Sequence, residues 1–272
     1  MKKQVLFAGL MALALVGAQA AGDAKKIVVD GSTTVGPIAK AFAEYYMKQH
    51  PDVNITVSES GSGNGAKSLI NGACDVATMS RAMKNEEADA AKDKKRNPIQ
   101  HTVAFDGLAV VVHPSNPLKN VSAEQVHDIF TGAITNWKQV GGPDLKIVII
   151  SRDTNSGTYE TFQEKLIKKD RVTDRAEYVG SNGAVRQRVQ STPSAIGYVG
   201  LAFVEGVKTV TVNEVEATPE TVLGKKYLIS RALFMYTDGA PAASTALADF
   251  VGLSNTADGK KIVAEQGFVP VQ

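Results

Sequence analysis

Three short stretches of the 272-residue chain set glycine beside serine and threonine hydroxyls, each directly ahead of a helix-like pattern. They are Asp30-Gly31-Ser32-Thr33-Thr34-Val35-Gly36-Pro37, Ser58-Glu59-Ser60-Gly61-Ser62-Gly63-Asn64-Gly65, and Arg152-Asp153-Thr154-Asn155-Ser156-Gly157-Thr158. The first N–H groups of a helix have no partner within it, and the helix dipole adds positive potential at that end, so such turns attract anions. Glycine lets the backbone approach a ligand closely, and the hydroxyls donate further hydrogen bonds. Converging from several sides, three such turns suit a small tetrahedral oxyanion. Arg152 and Arg81 stand beside two of them and would add charge-assisted, bidentate bonds. Taken one at a time, each turn is equally well read as a plain N-cap and loop.

Other chemistries fit poorly. No G-x-x-x-x-G-K-[ST] phosphate loop occurs, and Asn155-Ser156-Gly157 does not fit the G-x-S-x-G nucleophile elbow. His50, His101, His113 and His127 lie in unrelated segments without ligand spacing, so the expectation is no metal site and no cofactor. Cys74 is the single cysteine, which excludes an internal disulfide; its apolar neighbours predict a small core residue.

The elements that must position the turns alternate. Ile27-Val28-Val29, Val53 to Val57, Val76 to Met79 and Lys146 to Ile150 read as β-branched strands. Ile38, Phe42 and Tyr45 to Tyr46 recur at helical spacing, as do Tyr159, Phe162 and Leu166 in a helix expected over Tyr159 to Lys169. Ser122 and Gln125 form a capping-box pattern with Gly132 as the stop, and Ala257 to Gln266 reads as a helix ended by Gly267. The charged run Lys84 to Arg96 reads as a solvated helix face. Strand–turn–helix alternation implies an α/β fold with mostly parallel sheets flanked by helices, each turn falling at a strand's carboxyl end, where open sheets bind ligands. Two long extended runs, His101 to Pro114 and Tyr227 to Thr237, are expected to cross between two lobes. That division gives 21–106 plus 232–272 as a discontinuous first lobe and 107–231 as the second.

Residues 1–20 read as a secretory signal peptide: Lys2 and Lys3, an apolar run from Val5 to Val16, then Ala18-Gln19-Ala20 as cleavage pattern. The mature chain is expected from Ala21, in the periplasm. Of 30 basic and 28 acidic side chains, Lys2 and Lys3 leave with the leader, so the mature chain carries no net charge and lacks the footprint of a nucleic-acid partner.

At these residues the chain resembles the phosphate-binding component of ABC-type phosphate transporters. The likeness rests on DGSTTVGPIAKAF at 30–42, SGSGNGAKSLINGACDVATMSR at 60–81, RDTNSGTYETF at 152–162 and TPSAIGYVGLAF at 192–203, and it covers nearly all of the mature chain. The resemblance implies a two-lobed periplasmic-binding-protein fold of type II, with two crossing strands as hinge and phosphate in the cleft. Carried over, Thr33 and Thr34 with adjacent Ser32 take the first-loop positions, Ser62 the second, and Arg152, Ser156, Gly157 and Thr158 the second-lobe cluster. Where the best-known members place an acidic residue after the third strand, this chain has Ser80 and Arg81. Asp106, in the first crossing run, is therefore the candidate acceptor for the proton of phosphate, with Glu59 as the weaker candidate.

The function expected is capture of inorganic phosphate by a non-enzymatic, monomeric receptor that delivers it to the membrane permease of an ABC transporter. Two alternatives stand beside it: a receptor for another oxyanion such as sulfate, molybdate or a phosphonate, and a secreted phosphatase. Against the phosphatase, no His, Cys or carboxylate cluster accompanies the turns, and Ser156 has no evident base.

Overall fold

The computed structural model describes residues 25–272. The predicted leader at 1–20 lies outside the described residues. Among those described, no helix is long and apolar enough to cross a membrane.

The chain opens with the alternation expected of it. Strand β1 (Lys25–Gly31) leads to helix α1 (Gly36–Gln49), β2 (Val53–Ser58) to α2 (Ser62–Ile70), and β3 (Val76–Met79) to α3 (Asn85–Asp93). Strand β4 (Pro98–Val112) then runs for 15 residues, and β5 (Asn120–Val121), α4 (Ala123–Thr131), β6 (Val148–Arg152) and α5 (Gly157–Phe162) follow. After β7 (Glu177–Val179) come α6 (Asn182–Ser191), β8 (Ala195–Gly200), β9 (Lys208–Val212) and α7 (Pro219–Leu223). The chain closes with β10 (Ser230–Asp238), α8 (Ala246–Gly252), α9 (Ala257–Glu265) and β11 (Val269–Pro270).

The strands lie in the order β2-β1-β3-β10-β4-β8-β6-β7. The outer pairs β1–β2, β1–β3, β6–β8 and β6–β7 are parallel, as βαβ alternation requires. At the centre, β10 runs antiparallel to both β3 and β4, and β4 antiparallel to β8. Parallel strands therefore carry the helices, and the antiparallel β4–β10 ribbon joins the two halves. Both extended runs singled out in the sequence belong to this ribbon. Its pairing steps from Leu233↔Ala104 to Phe234↔Thr102, leaving Val103 as the extra residue of a bulge.

Strand β4 serves both halves by its period of two. Leu108, Val110 and Val112 enter the core around Trp137, Phe130 and Phe162, whereas Ala109 and Val111 face Val185 and Val189 of α6. In the other half, α1, α8 and α9 cover one sheet face through Phe42, Phe250 and Val263. Helix α2 covers the other with Ala66 and Leu69. Cys74 packs there too, and burial pushes its thiol up to about 12, keeping it protonated and inert.

Local capping follows the sequence closely. Ser122 accepts from the Gln125 N–H at 3.0 Å while the Gln125 side chain accepts from the Ser122 N–H at 2.8 Å, and Gly132 ends α4 with φ +90°. The helix expected over Tyr159 to Lys169 instead starts at Gly157 and widens into a π turn over Gln163–Ile167.

Candidate functional site

The three turns follow β1, β2 and β6 and meet on the side of the sheet where α1, α2 and α5 begin. Close backbone packing brings them there. A Cβ on Gly65 of α2 would lie 2.7 Å from the Gly31 Cα, so only glycine lets α2 rest on the end of β1. A Cβ on Gly157 would lie 2.6 Å from Ser62 Oγ and 2.7 Å from Ser80 Oγ, so the first residue of α5 sits directly against the opposite half.

The halves are in direct contact. Gly63 N–H donates to the Asn155 carbonyl at 3.0 Å, and the hydroxyls of Thr34 and Thr158 are 3.0 Å apart. Arg152 Nη2 donates to Thr33 Oγ1 at 3.3 Å, and Asn182 Nδ2 to Thr34 Oγ1 at 2.9 Å. This is a closed cleft. Ser32, Thr33, Thr34, Ser62, Ser80, Asp106, Arg152, Ser156, Thr158, Asn182 and Arg231 are all buried in or beneath it.

The hydroxyls are arranged as donors. Ser32 Oγ accepts from the N–H groups of Thr34 and Val35, and Ser156 Oγ from those of Thr158 and Tyr159. Thr33 Oγ1 accepts from Arg152 and Asn182. A hydroxyl has two acceptor sites and one O–H, so each of these three keeps only its O–H to offer a further partner. Ser62 Oγ accepts from the Ser80 N–H at 3.1 Å and lies 3.3 Å from Ser80 Oγ.

Two guanidinium groups supply the charge. Arg152, 1% exposed at the end of β6, is fixed by Nε to the Val179 carbonyl at 3.2 Å and by Nη2 to the Gly180 carbonyl at 2.9 Å. Its Nη1 is buried with no hydrogen-bond partner among the described residues. Asp153 lies 4.0 Å from Nη2, too far for a hydrogen bond. Burial pulls the Arg152 pKa down to about 10, with Asp153 opposing and Arg231 adding to the fall. The end of β6 is held by Tyr198, whose hydroxyl meets Ser151 Oγ at 2.9 Å and accepts from Arg152 N–H, while its ring stacks on Phe162 at 3.8 Å.

Arg231 was not singled out by the sequence reading, although a lone charge in the apolar run YLISRALFMYT is itself a signal. It stands on β10 directly opposite Asp106 on β4. Its Nη1 donates to Thr158 Oγ1 at 3.0 Å and to the Ser80 carbonyl at 3.2 Å, and its Nη2 to Thr34 Oγ1 at 3.3 Å. Asn182, at the start of α6, was also missed. It is fully buried and bridges Gly200 N–H, through Oδ1, to Thr33 and Thr34.

Three expectations change. Asp106 lies at the floor of the cleft but reaches the cluster only through Arg231, whose Nε and Nη2 donate to its Oδ2 at 3.0 and 2.8 Å. Its Oδ1 accepts from Leu201 N–H at 3.0 Å, so it is not a free acceptor aimed at the cleft. Burial pushes the Asp106 carboxyl up and the Arg231 guanidinium down, and the two-point bond between them offsets part of both shifts. Arg81 turns away: Nη1 and Nη2 grip Glu87 at 2.8 and 2.7 Å, and Nε meets Glu160. Glu59 pairs with Lys40 at 3.0 Å and plays no part in the cluster.

Two α/β halves, joined by crossing strands and closed over a buried set of donors that carries two guanidinium groups against one carboxylate, define a solute-binding protein of the periplasmic type. The model of the PBP superfamily domain matches residues 16–253. The chain is 32% identical over 285 residues to the phosphate-binding protein PstS of Borreliella burgdorferi, covering all of both chains. With the phosphate-binding protein PstS of Bacillus subtilis it shares 31% identity, over 90% of this chain and 80% of that one. Among solved structures it is similar to a phosphate-bound ABC transporter substrate-binding protein of Clostridium perfringens, at TM-score 0.85 and 35% identity over 91% of this chain and 100% of that one. An ABC-type phosphate transport receptor of Vibrio cholerae matches at TM-score 0.73 and 31% identity, over 90% of this chain and 100% of that one. The chain belongs to the PBP superfamily and, within it, to the phosphate-binding proteins of ABC-type phosphate transporters.

Proposed function

We propose that the chain captures inorganic phosphate between its two halves and hands it to the membrane permease of an ABC transporter. One observation carries the reading: the cleft is a buried cluster of donors in excess, with Arg152 Nη1 buried and without a partner among the described residues and the Ser32, Thr33 and Ser156 hydroxyls left with only an O–H to give. Buried donors and buried charge are costly unless paired, and a tetrahedral oxyanion supplies four acceptor oxygens and the missing negative charge at once. The phosphate ligands are then Ser32, Thr33, Thr34, Ser62, Ser80, Arg152, Ser156, Gly157 and Thr158. Arg231 and Asn182 hold Thr34 and Thr158 in place from below. Asp106 acts at one remove, by fixing Arg231 and limiting the positive charge of the site.

The halves divide near Asp106 on β4 and Arg231 on β10, as 21–106 plus 232–272 and 107–231, so these two residues form the pivot. Phosphate bonded to Thr33 and Ser62 on one side and to Arg152 and Thr158 on the other favours the closed form by its differential affinity for that state. Closure is then the signal of occupancy that the permease reads. The receptor works as a periplasmic monomer delivered by the leader at 1–20. Hydrolysis is not supported, because no histidine or carboxylate stands among the partners of the Ser156 hydroxyl to act as its base.

Solution scattering with and without phosphate tests the reading. It predicts a smaller radius of gyration with phosphate; an unchanged radius on saturation would sink the closing mechanism. Release of chromophore from a chromogenic phosphate ester would favour the hydrolase instead.

A further inference from the structure

Arg81, singled out in the sequence but absent from the anion cluster, sits in a second charged constellation at the rim of the cleft. Both of its terminal nitrogens are committed within its own half, to the two oxygens of Glu87 at 2.8 and 2.7 Å. Glu87 Oε2 also accepts from Lys84 N–H at 2.9 Å, which ties the start of α3 to the same carboxylate. So braced, Arg81 has Nε left to aim across the cleft, and there it meets Glu160 of α5. The second oxygen of Glu160 takes Lys84 Nζ at 3.0 Å. Arg81 is 9% exposed and Glu160 17%, so this pairing is largely shielded from solvent, unlike an ordinary surface ion pair.

The asymmetry of the cluster is what matters. Arg81 and Lys84 lie between β3 and α3 and Glu87 in the first turn of α3, whereas Glu160 lies in the first turn of the helix that begins with Gly157. Opening the cleft would leave Arg81–Glu87 whole and separate both cations from Glu160. A contact made in only one of two states shifts the balance toward that state. Arg81 also follows Ser80, whose carbonyl accepts from Arg231, and Thr161 beside Glu160 reaches the same carbonyl at 3.5 Å. Arg81 is thus the residue after Ser80 of the anion cluster, and Glu160 lies two residues after Thr158.

We propose that Glu160 is a closure clamp, gripped by Arg81 and Lys84 only when the cleft is shut, so that it slows release of phosphate without touching it. The proposal rests on the reading of the cleft as a closing phosphate site. Contacts of this kind act on the rate of leaving more than on the rate of arrival.

The test is stopped-flow kinetics of phosphate binding to the wild-type chain, Glu160→Gln and Lys84→Gln. Glu160→Gln keeps the shape of the side chain and removes its charge. The expected result is a release rate raised about tenfold, a value typical of losing one well-placed charged contact, with the association rate unchanged. Lys84→Gln, on an exposed partner, gives a smaller rise in the same direction and adds nothing further on the Glu160→Gln background. That lack of additivity, with the association rate unchanged, is what a merely structural role for the residue would not produce. Wild-type release rates in both single variants would overturn the clamp. A wild-type chain that binds no phosphate would refute the function itself, an outcome distinct from the first because it appears before any substitution is made.

Discussion

Replacing Arg231 by glutamine separates the part the pivot pair plays in folding from its part in binding. Asp106 is fully buried and its Oδ2 accepts both Arg231 bonds, so Arg231→Gln strands a carboxylate in the protein interior. Removing one partner of a buried ion pair costs about 3–5 kcal/mol, which at about 2–4 °C per kcal/mol for a chain of this size lowers the melting temperature by about 6–20 °C. Binding suffers for two reasons: the donors to Thr34 and Thr158 are lost, and an uncompensated negative charge remains beneath the anion. At about 2–5 kcal/mol for a truncated charged contact, phosphate affinity falls by about thirtyfold to several thousandfold. In Arg231→Gln/Asp106→Asn the two amides can bond each other, so most of the lost stability returns. The anion-facing donors do not return, and affinity recovers only in part. Thermal melts and equilibrium dialysis with labelled phosphate measure both quantities on the same samples. A single variant with normal affinity, or a double variant that recovers affinity and stability together, would refute this division of roles.

Other outcomes follow from single contacts. Arg152→Ala removes the unpartnered Nη1 and one of two buried positive charges, so phosphate affinity measured by dialysis falls by about thirtyfold or more; normal binding would place the site elsewhere. Gly157→Ala drives a Cβ to within 2.7 Å of both Ser62 Oγ and Ser80 Oγ, which props the cleft open: affinity drops while the melting temperature of the ligand-free protein holds, and a full contraction in scattering would contradict the wedge. His127 is hydrogen-bonded to Asp128 and Asp170, which raise its pKa above the ordinary 6.5. A raised pKa means that the protonated form favours the fold. The stability it adds is fully present below about pH 6.5 and fades as pH rises through the raised value. Denaturant melts of His127→Gln against wild type should therefore differ in acid and converge in alkali; a gap that widened with pH would reverse the argument.

What the sequence disclosed, and what it hid, divides along the range of the forces involved. Caps and turns are short-range: Pro37 opening α1, Ser122 with Gln125 and Gly132 framing α4, and Gly267 ending α9 can each be read from a few neighbouring residues. The three anion-ready turns belong to the same class, and they meet in space because parallel strands deliver them to one edge. The direction taken by a charged side chain is a tertiary matter. Arg81 follows Ser80 in a promising motif, but Glu87 and Glu160 claim its guanidinium. Asp106 lies buried beneath the hydroxyls, and its partner Arg231 comes from 125 residues away. No spacing rule connects them; the antiparallel register of β4 and β10 does. Asn182 escaped notice because it resembles any polar residue in the first turn of a helix, and only the folded chain shows it bridging Gly200 to Thr33 and Thr34. The π turn after Phe162 likewise leaves no mark in the apolar spacing of Tyr159, Phe162 and Leu166.

Calorimetric titration of the mature chain with phosphate and, separately, with sulfate decides whether the closed donor-rich cleft is a phosphate receptor. A phosphate receptor binds phosphate saturably at a single site, in about the micromolar range or tighter, with sulfate bound far more weakly. Saturable binding of sulfate with no heat from phosphate, or no binding of either, would contradict that function.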